Sequence, residues 1–318
     1  MQTLTIAETA AFLRAQEACT ILTHRRPDGD TVGCAIALCR GLRALGKEAV
    51  IYENPQFTPR YLPYLAGLTG GEVRGTVVAV DIAAEGLFPM GFSGAVELCI
   101  DHHSSNSGYA ARGHVEGDRA ACGEIIYDVL RAMDVTVDKA MADALYIAIT
   151  TDTGCFRYSN TTAATLRTAA DLKDCGADTV GLNRTLFEIK SRARFCLEAY
   201  LTEGMRLYAG GKIGVCTLPE AEKLRMGVTE DDADSIAGFA RDLEGVEIGV
   251  MLRDLPDSQC KISLRTDDRL YDASAICRRL GGGGHSAAAG ATVPGTLEDG
   301  RRAILGAIAQ ETGLQVDA

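Results

Sequence analysis

Three apolar runs in the first third of the chain each end on a histidine or a carboxylate, and this constrains the fold more than any other feature. Thr20-Ile21-Leu22 runs into Thr23-His24-Arg25-Arg26-Pro27-Asp28-Gly29-Asp30, Gly75 to Val80 stops at Asp81, and Ala95 to Ile100 stops at Asp101-His102-His103. Continuous apolar runs of this kind are what a buried parallel strand requires. Between them, Cys34 to Leu45 has helical apolar spacing and is stopped by Gly46, and Glu48 to Glu53 reads as a further strand. Strands alternating with helices through residue 176 predict an α/β fold, a mostly parallel sheet with helices on both faces. Ligands in such sheets gather at the carboxyl ends of the strands, where these charged residues fall.

The rest of the chain is read in the same way. Residues 1–18 read as a helix, 54–71 as loop or short helix, and Ala121 to Met133, Asp138 to Ile149 and Thr161 to Cys175 as helices. A charged helical stretch, Leu186 to Leu207, looks like a connector. Beyond it come short strands (Lys212 to Thr217, Val246 to Arg253, Cys260 to Thr266) and helices at Asp231 to Leu243 and Asp272 to Leu280. The expected layout is a first α/β domain over 1–185, a helical connector over 186–208 and a smaller α+β domain over 209–318. With 318 residues, two domains are the natural count.

Charge excludes some partners. The net charge is −11 and the pI about 5.0, so the molecule as a whole repels a long duplex; a short anionic ligand held by local arginines and a metal stays compatible. No apolar run is long enough to span a bilayer and the first residues lack a signal-peptide pattern, so no membrane partner and a cytoplasmic location are expected. The 11 cysteines are scattered singly without a Cys-x-x-Cys pair and read as small buried hydrophobes.

His24, Asp28, Asp30, Asp81, His102 and Asp152 make six candidate ligands, at three strand ends and, for Asp152, at a helix-to-turn junction. Carboxylates and imidazoles in this ratio suit a pair of hard divalent ions, Mn²⁺ or Mg²⁺, better than zinc. Two such ions can clamp both the attacking and the leaving oxygens of a phosphoryl displacement. Asp28 and Asp30, two residues apart in what reads as an extended loop, can reach different ions. The plainer reading of that stretch is a capped helix start, with Asp30 or Thr31 as N-cap after a Pro-Asp-Gly turn.

These motifs, in order, resemble those of the DHH phosphoesterases: Thr23 to Asp30, the strand-end Asp81, Asp101-His102-His103 and Thr151-Asp152-Thr153-Gly154. Gly281-Gly282-Gly283-Gly284-His285-Ser286-Ala287-Ala288-Ala289-Gly290 resembles the signature of the associated DHHA1 domain. The two-domain layout and Thr151 to Asn160 are most similar to the nanoRNase / 3′-phosphoadenosine 5′-phosphate phosphatase branch. The resemblance implies two Mn²⁺ per active site, with Mg²⁺ as the alternative. His24, Asp28 and Asp81 would hold one ion, and Asp30, Asp81, His102 and Asp152 the other. It further implies that His103 faces the scissile phosphate and that Asp101 orients a neighbouring histidine.

In the second domain, Gly282, Gly283 and Gly284 let backbone N–H groups approach an anion, and His285 adds a cationic side chain. The stretch Ala287 to Gly290 reads as helix-like or tightly packed. Arg265 sits on a probable strand, where a lone arginine is ordinarily a surface charge; the resemblance makes it, with His285, a ligand of the substrate's terminal phosphate or base. His114 matches no motif and reads as a loop residue without a catalytic part. The function expected is hydrolysis of short oligonucleotides, about two to five nucleotides, or of a small nucleotide, because an acidic surface gives little hold on a long backbone. Cyclic- or linear-dinucleotide hydrolysis, a single-strand exonuclease resembling RecJ, an inorganic pyrophosphatase and a non-catalytic nucleotide-binding protein are the rivals. The assembly state, with a homodimer as one form, is left open.

Overall fold

The computed structural model describes residues 1–234 and 236–316. The chain divides into two compact units, Met1–Ile189 and Lys190–Ala318. In the first unit the elements run β1 (Gln2–Thr3), α1 (Ile6–Arg14), β2 (Ala18–Leu22), α2 (Gly29–Ala44), β3 (Glu48–Tyr52), α3 (Leu62–Leu65), β4 (Thr69–Gly70), β5 (Thr76–Val80), β6 (Leu98–Asp101) and β7 (Arg112–Val115). They are followed by α4 (Cys122–Ala132), α5 (Lys139–Asp152), α6 (Ala163–Asp174) and α7 (Thr179–Asn183).

All seven strands are parallel, in the order β1-β7-β6-β5-β2-β3-β4. From β2 the chain winds outward through β3 to β4, and from β5 it winds the other way through β6 to β7. The order therefore reverses between β2 and β5, and a crevice opens there at the carboxyl ends of the strands. Period-two alternation sorts the strand residues onto two faces. Ile21, Val78, Val80, Leu98 and Ile100 face the helical layer, with Ile36 and Leu38 of α2, Ile125 and Ile126 of α4, and Leu145 and Ile149 of α5. Leu22, Val77, Ala79 and Cys99 face the other way. Among the described residues no long crossover helix covers that side; the connections on either side of β6 do so, through Ile82, Phe88, Phe92 and Tyr109.

The structure redraws several local expectations. The helix expected over 1–18 is shorter, because Gln2–Thr3 pairs with Arg112–Gly113 as an edge strand and Thr5 with Glu8 forms a capping box at its start. The N-cap of α2 is Asp28, which accepts from the amides of Asp30 and Thr31, so Asp30 lies in the first helical turn and not in an extended loop. His114 lies on β7, not on a loop. The run Arg112-Gly113-His114-Val115 offers one apolar side chain and gives little strand signal, and the pairing on both sides supplies the rest.

The second unit contains α8 (Arg192–Gly204), β8 (Arg206–Tyr208), β9 (Ile213–Leu218), α9 (Glu220–Met226), α10 (Glu230–Asp234), β10 (Ile248–Leu255), β11 (Gln259–Thr266), α11 (Ala273–Arg278), β12 (Gly283–Gly284), β13 (Ala288–Pro294) and α12 (Leu297–Thr312). Its sheet is mixed, ordered β12-β13-β11-β10-β9-β8, with only β9 and β10 parallel. Helices α11 and α12 pack on one face through Ile276, Ile304 and Ile308, and α8 packs on the other through Leu197 and Leu201. The helix expected over Asp231 to Leu243 is broken: α10 ends at Asp234, Ser235 lies outside the described residues, and a 3₁₀ turn covers Phe239–Asp242. Gly238 within that stretch weakens a continuous helix. The helix-like Ala287 to Gly290 is part of β13, where pairing with β11 overrides the helical preference of alanine. Among the described residues no helix is long and apolar enough to cross a membrane.

Helix α2 carries the candidate ligand Asp30 and is capped by another, Asp28, and its seat against α5 depends on Gly33. A Cβ added there would meet the Ala144 carbonyl oxygen at 2.2 Å and the Ala148 Cβ at 2.9 Å. Gly33→Ala is therefore expected to destabilise the fold by about 1–3 kcal/mol through overpacking, despite the gain in helix propensity. Urea unfolding of wild type and variant checks this, and an unchanged or raised midpoint contradicts it.

Candidate metal centre

The residues singled out in the first unit converge at the switch point. His24 and Asp28 follow β2, Asp30 opens α2, Asp81 follows β5, His102 and His103 follow β6, and Asp152 ends α5. His24 Nε2 lies 3.4 Å from Asp28 Oδ1 and 3.7 Å from Asp81 Oδ2. His102 Nε2 lies 3.7 Å from Asp30 Oδ2, 3.5 Å from Asp81 Oδ1 and 3.3 Å from Asp152 Oδ2. The donors form three overlapping groups, each within 4.8 Å: His24 with Asp28 and Asp81, Asp30 with His102 and Asp152, and Asp81 with His102 and His103. These spacings exceed hydrogen-bond length. They match two donors sharing one ion, which lie about 3–4 Å apart when each sits about 2.1 Å from it.

The ring orientations fit the same chemistry. His24 Nδ1 donates to the Arg25 carbonyl at 2.9 Å and His102 Nδ1 donates to the Arg119 carbonyl at 3.1 Å. A carbonyl only accepts, so the proton of each neutral ring sits on Nδ1 and the Nε2 lone pair points into the cluster. Asp81 contributes one oxygen towards each histidine, and its Oδ1 is buried without a hydrogen-bond partner. An orphaned carboxylate oxygen is costly unless a cation completes it. Asp81 also has a left-handed backbone, φ 59°. For a non-glycine residue that is strain, of the kind that persists where the surroundings impose it. The donor set and the orphaned oxygen thus fit divalent cations.

Crowding sets the protonation of the cluster. Burial first, and the charge of Asp28 second, push the Asp30 carboxyl up to about 7, even though it accepts from the amides of Cys122 (2.7 Å) and Gly123 (2.9 Å). Burial and the neighbouring carboxylates also push Asp81 and Asp152 well above the usual range. Asp101 behaves oppositely. Its Oδ1 accepts from His103 Nδ1 (2.7 Å) and from the amides of His102 (2.8 Å) and His103 (3.2 Å), and its Oδ2 accepts from Asn106 Nδ2 (2.6 Å). Burial alone would raise it; these donors, His103 foremost, hold it below the ordinary carboxylate value. The same hydrogen bond, which His103 donates and Asp101 accepts, raises His103. Asp101 is thus a fully donor-satisfied anion beneath His103.

In the second unit, Arg265 lies on β11 opposite Ala288 of β13, so Arg265 and His285 come to the same end of that sheet. Arg265 donates to the Leu264 carbonyl at 2.9 Å, and His285 is exposed. Gly282 has no room for a side chain, because a Cβ would meet the Gly290 carbonyl oxygen at 2.1 Å; Gly283 faces open space and Gly284 has φ 145°. Close approach of β12 to β13 therefore already requires part of this glycine run. Several contacts around the first-unit cluster were not legible in advance. Asn106 has a sequence signal, a polar residue three positions past His103. Thr31, which bridges the His24 amide (3.3 Å) and the Val80 carbonyl (2.9 Å), reads from the sequence only as a helix-start residue. Nothing in spacing or composition marked the Arg119 carbonyl.

The raised carboxyls carry a testable linkage. Asp30 moves from about 3.9 in an unfolded chain to about 7 in the fold. Such a group contributes stability that is complete below about pH 4 and is lost as pH rises through about 7; Asp81 and Asp152 act with the same sign. The metal-stripped chain is expected to melt at lower temperature at pH 8 than at pH 6, and Mn²⁺, replacing those protons, to raise Tm more at pH 8. Calorimetric scans with chelator and with Mn²⁺ measure both, and a metal-free Tm that climbs across this window contradicts the electrostatics.

Comparison with known proteins gives a consistent result. Residues 18–149 match the family model described as DHH family, N-terminal domain, and residues 211–312 match the DHHA1 domain. The chain is 32% identical over 297 residues to a protein of Thermus thermophilus named bifunctional oligoribonuclease and PAP phosphatase NrnA, covering 92% of this chain and 89% of that one. It is 26% identical to the Bacillus subtilis protein of the same name, covering 86% and 89%. In fold it is similar to a crystal structure of an exopolyphosphatase-related protein from Bacteroides fragilis, with TM-score 0.87, 20% identity and coverage of 97% and 96%. The motifs, the two domains in order and the near full-length relatives agree: the chain belongs to the DHH family, with a DHHA1 domain following the DHH domain.

Proposed function

We propose that the chain is a Mn²⁺-dependent phosphoesterase, with Mg²⁺ as the alternative ion, that hydrolyses short oligonucleotides and 3′-phosphoadenosine 5′-phosphate. One observation carries the reading: four carboxylates and two inward-facing imidazoles meet at the switch point around an Asp81 oxygen that has no partner. The oligoribonuclease and PAP phosphatase names of the Thermus and Bacillus relatives support the substrate class.

In this reading His24, Asp28 and Asp81 hold one ion, and Asp30, Asp81, His102 and Asp152 hold the other. Bound ions supply polarisation of the phosphoryl oxygens and a water acidified for attack. The protein's own groups do the remainder. His24 and His102 keep their protons on Nδ1 and present Nε2. Asp101 holds the Nδ1 proton of His103, so the other ring nitrogen is the group that gives a proton to the leaving oxygen. In the second unit, Arg265 and His285 bind the distal phosphate or base, and the Gly282, Gly283 and Gly284 backbone lies close to the same anion.

The test is kcat/KM with Mn²⁺ for 3′-phosphoadenosine 5′-phosphate and for substrates from a dinucleotide to about twenty nucleotides. Efficiency is expected not to climb with length, since the chain neutralises few phosphates. Steadily rising efficiency would favour the exonuclease reading. On the dinucleotide, Arg265→Ala and His285→Ala are each expected to lose about 10- to 150-fold in kcat/KM, the worth of one charged hydrogen bond, mostly through KM. Both variants should hydrolyse bis(p-nitrophenyl) phosphate almost as wild type does, because it has no distal nucleotide to hold. Equal loss on both substrates would remove the proposed role of the second unit.

A further inference from the structure

The turn that enters α4 braces three of the candidate ligands from behind. The Arg119 carbonyl accepts from His102 Nδ1 at 3.1 Å. The amides of Cys122 and Gly123, at the open end of α4, donate to the two oxygens of Asp30. Asn160 Nδ2 donates to both the Ala120 carbonyl and the Asp152 carbonyl, each at 3.1 Å, tying the turn to the end of α5. Asp30, His102 and Asp152 are one of the three donor groups of the cluster. His24 and Asp28 are held from elsewhere, His24 through the Arg25 carbonyl and Asp28 through the amides it caps.

The turn is itself fixed by charged side chains that reach no ligand directly. Arg119 donates to Glu116 Oε2 at 2.6 Å and to Asp128 Oδ2 at 2.7 Å, and lies 3.7 Å from Glu124 Oε2. Glu124, 1% exposed, accepts on Oε1 from the Ala120 amide at 3.2 Å and from Thr165 Oγ1 at 2.9 Å. A fully buried glutamate is seldom kept unless it is paired, and here its pairing holds one backbone amide in place. Asn160 is brought back to Asp152 by a tight coil in which Gly154, Cys155 and Phe156 are all left-handed, with φ 55°, 58° and 63°. Glycine adopts that region freely, but Cys155 and Phe156, two consecutive non-glycine residues there, are strain that the surrounding contacts must offset.

We propose that residues 119–123 form a positioning element dedicated to one of the two cation sites, that of Asp30, His102 and Asp152, with Arg119, Glu124 and Asn160 as its positioning residues. The inference rests on the two-ion reading above. Loss of such outer contacts lowers metal affinity about 10- to 100-fold. Here the loss falls on one ion, while the site of His24 and Asp28 keeps its affinity.

The experiment is Mn²⁺ titration of the full chain by isothermal calorimetry, with free Mn²⁺ counted by electron paramagnetic resonance. Wild type, Asn160→Ala, Arg119→Ala and Glu124→Gln are compared, with circular dichroism as the check on folding. Asn160 is exposed, so its variant keeps the question open if a buried substitution fails to fold. The expected result is two Mn²⁺ on wild type, and in Asn160→Ala one class weakened about 10- to 100-fold beside one class unchanged. Two ions on wild type, with both classes or neither weakened in the variants, overturns this inference alone. A single ion on wild type overturns the two-ion reading and this inference with it.

Discussion

Four carboxylates meet at one end of the sheet, two of them, Asp30 and Asp81, out of reach of water, and the rest of the first unit is built around tolerating that. Asp30 is fully buried and Asp81 only 3% exposed; burial and then a neighbouring carboxylate, Asp28 for Asp30 and Asp30 for Asp81, raise the proton affinity of each. Left alone, such a group would be neutral or would swell. The fold offsets the repulsion with fixed dipoles and geometry: two amides at the start of α4 face Asp30, Asp28 caps α2, and the reversal of strand order sends the connections leaving β2 and β5 to opposite faces of the sheet. Asp81 accepts a left-handed backbone as part of the arrangement. An all-parallel sheet follows from the same need, because only parallel strands bring several carboxyl ends to one edge.

Asp101 shows the contrast within one motif. It is as buried as Asp30, yet it receives four hydrogen bonds and is held below the ordinary carboxylate value, whereas burial and neighbouring carboxylates push Asp30, Asp81 and Asp152 up. Burial alone therefore does not separate the two roles. The identity of the neighbours does: donors make an anchored anion that orients His103, and other carboxylates make a site that asks for positive charge.

Much of this was legible because it is written in local pattern. Apolar runs ending on His24, Asp81 and Asp101-His102-His103 place those residues at strand ends, and the ends of adjacent parallel strands must meet. The family resemblance ordered the motifs, and the DHH and DHHA1 matches agree with it. What escaped was set by long-range pairing. His114 reads as loop because β7 draws its stability from β1 and β6 and not from its own composition. Ala287 to Gly290 reads as helix because alanine prefers helices, but pairing with β11 decides it. The Arg119 carbonyl and the Cys122 and Gly123 amides could not be foreseen, since backbone groups carry no sequence signature.

In the proposed function Asp81 serves both cations, with one oxygen towards His24 and the other towards His102. Its most direct test is the number of Mn²⁺ ions bound by Asp81→Ala, measured by calorimetry on protein whose fold is verified by circular dichroism. Less than one ion per chain and loss of most turnover are expected, because removing a shared ligand dismantles both sites. An Asp81→Ala chain that keeps one ion at wild-type affinity, or that remains fully active, would contradict it.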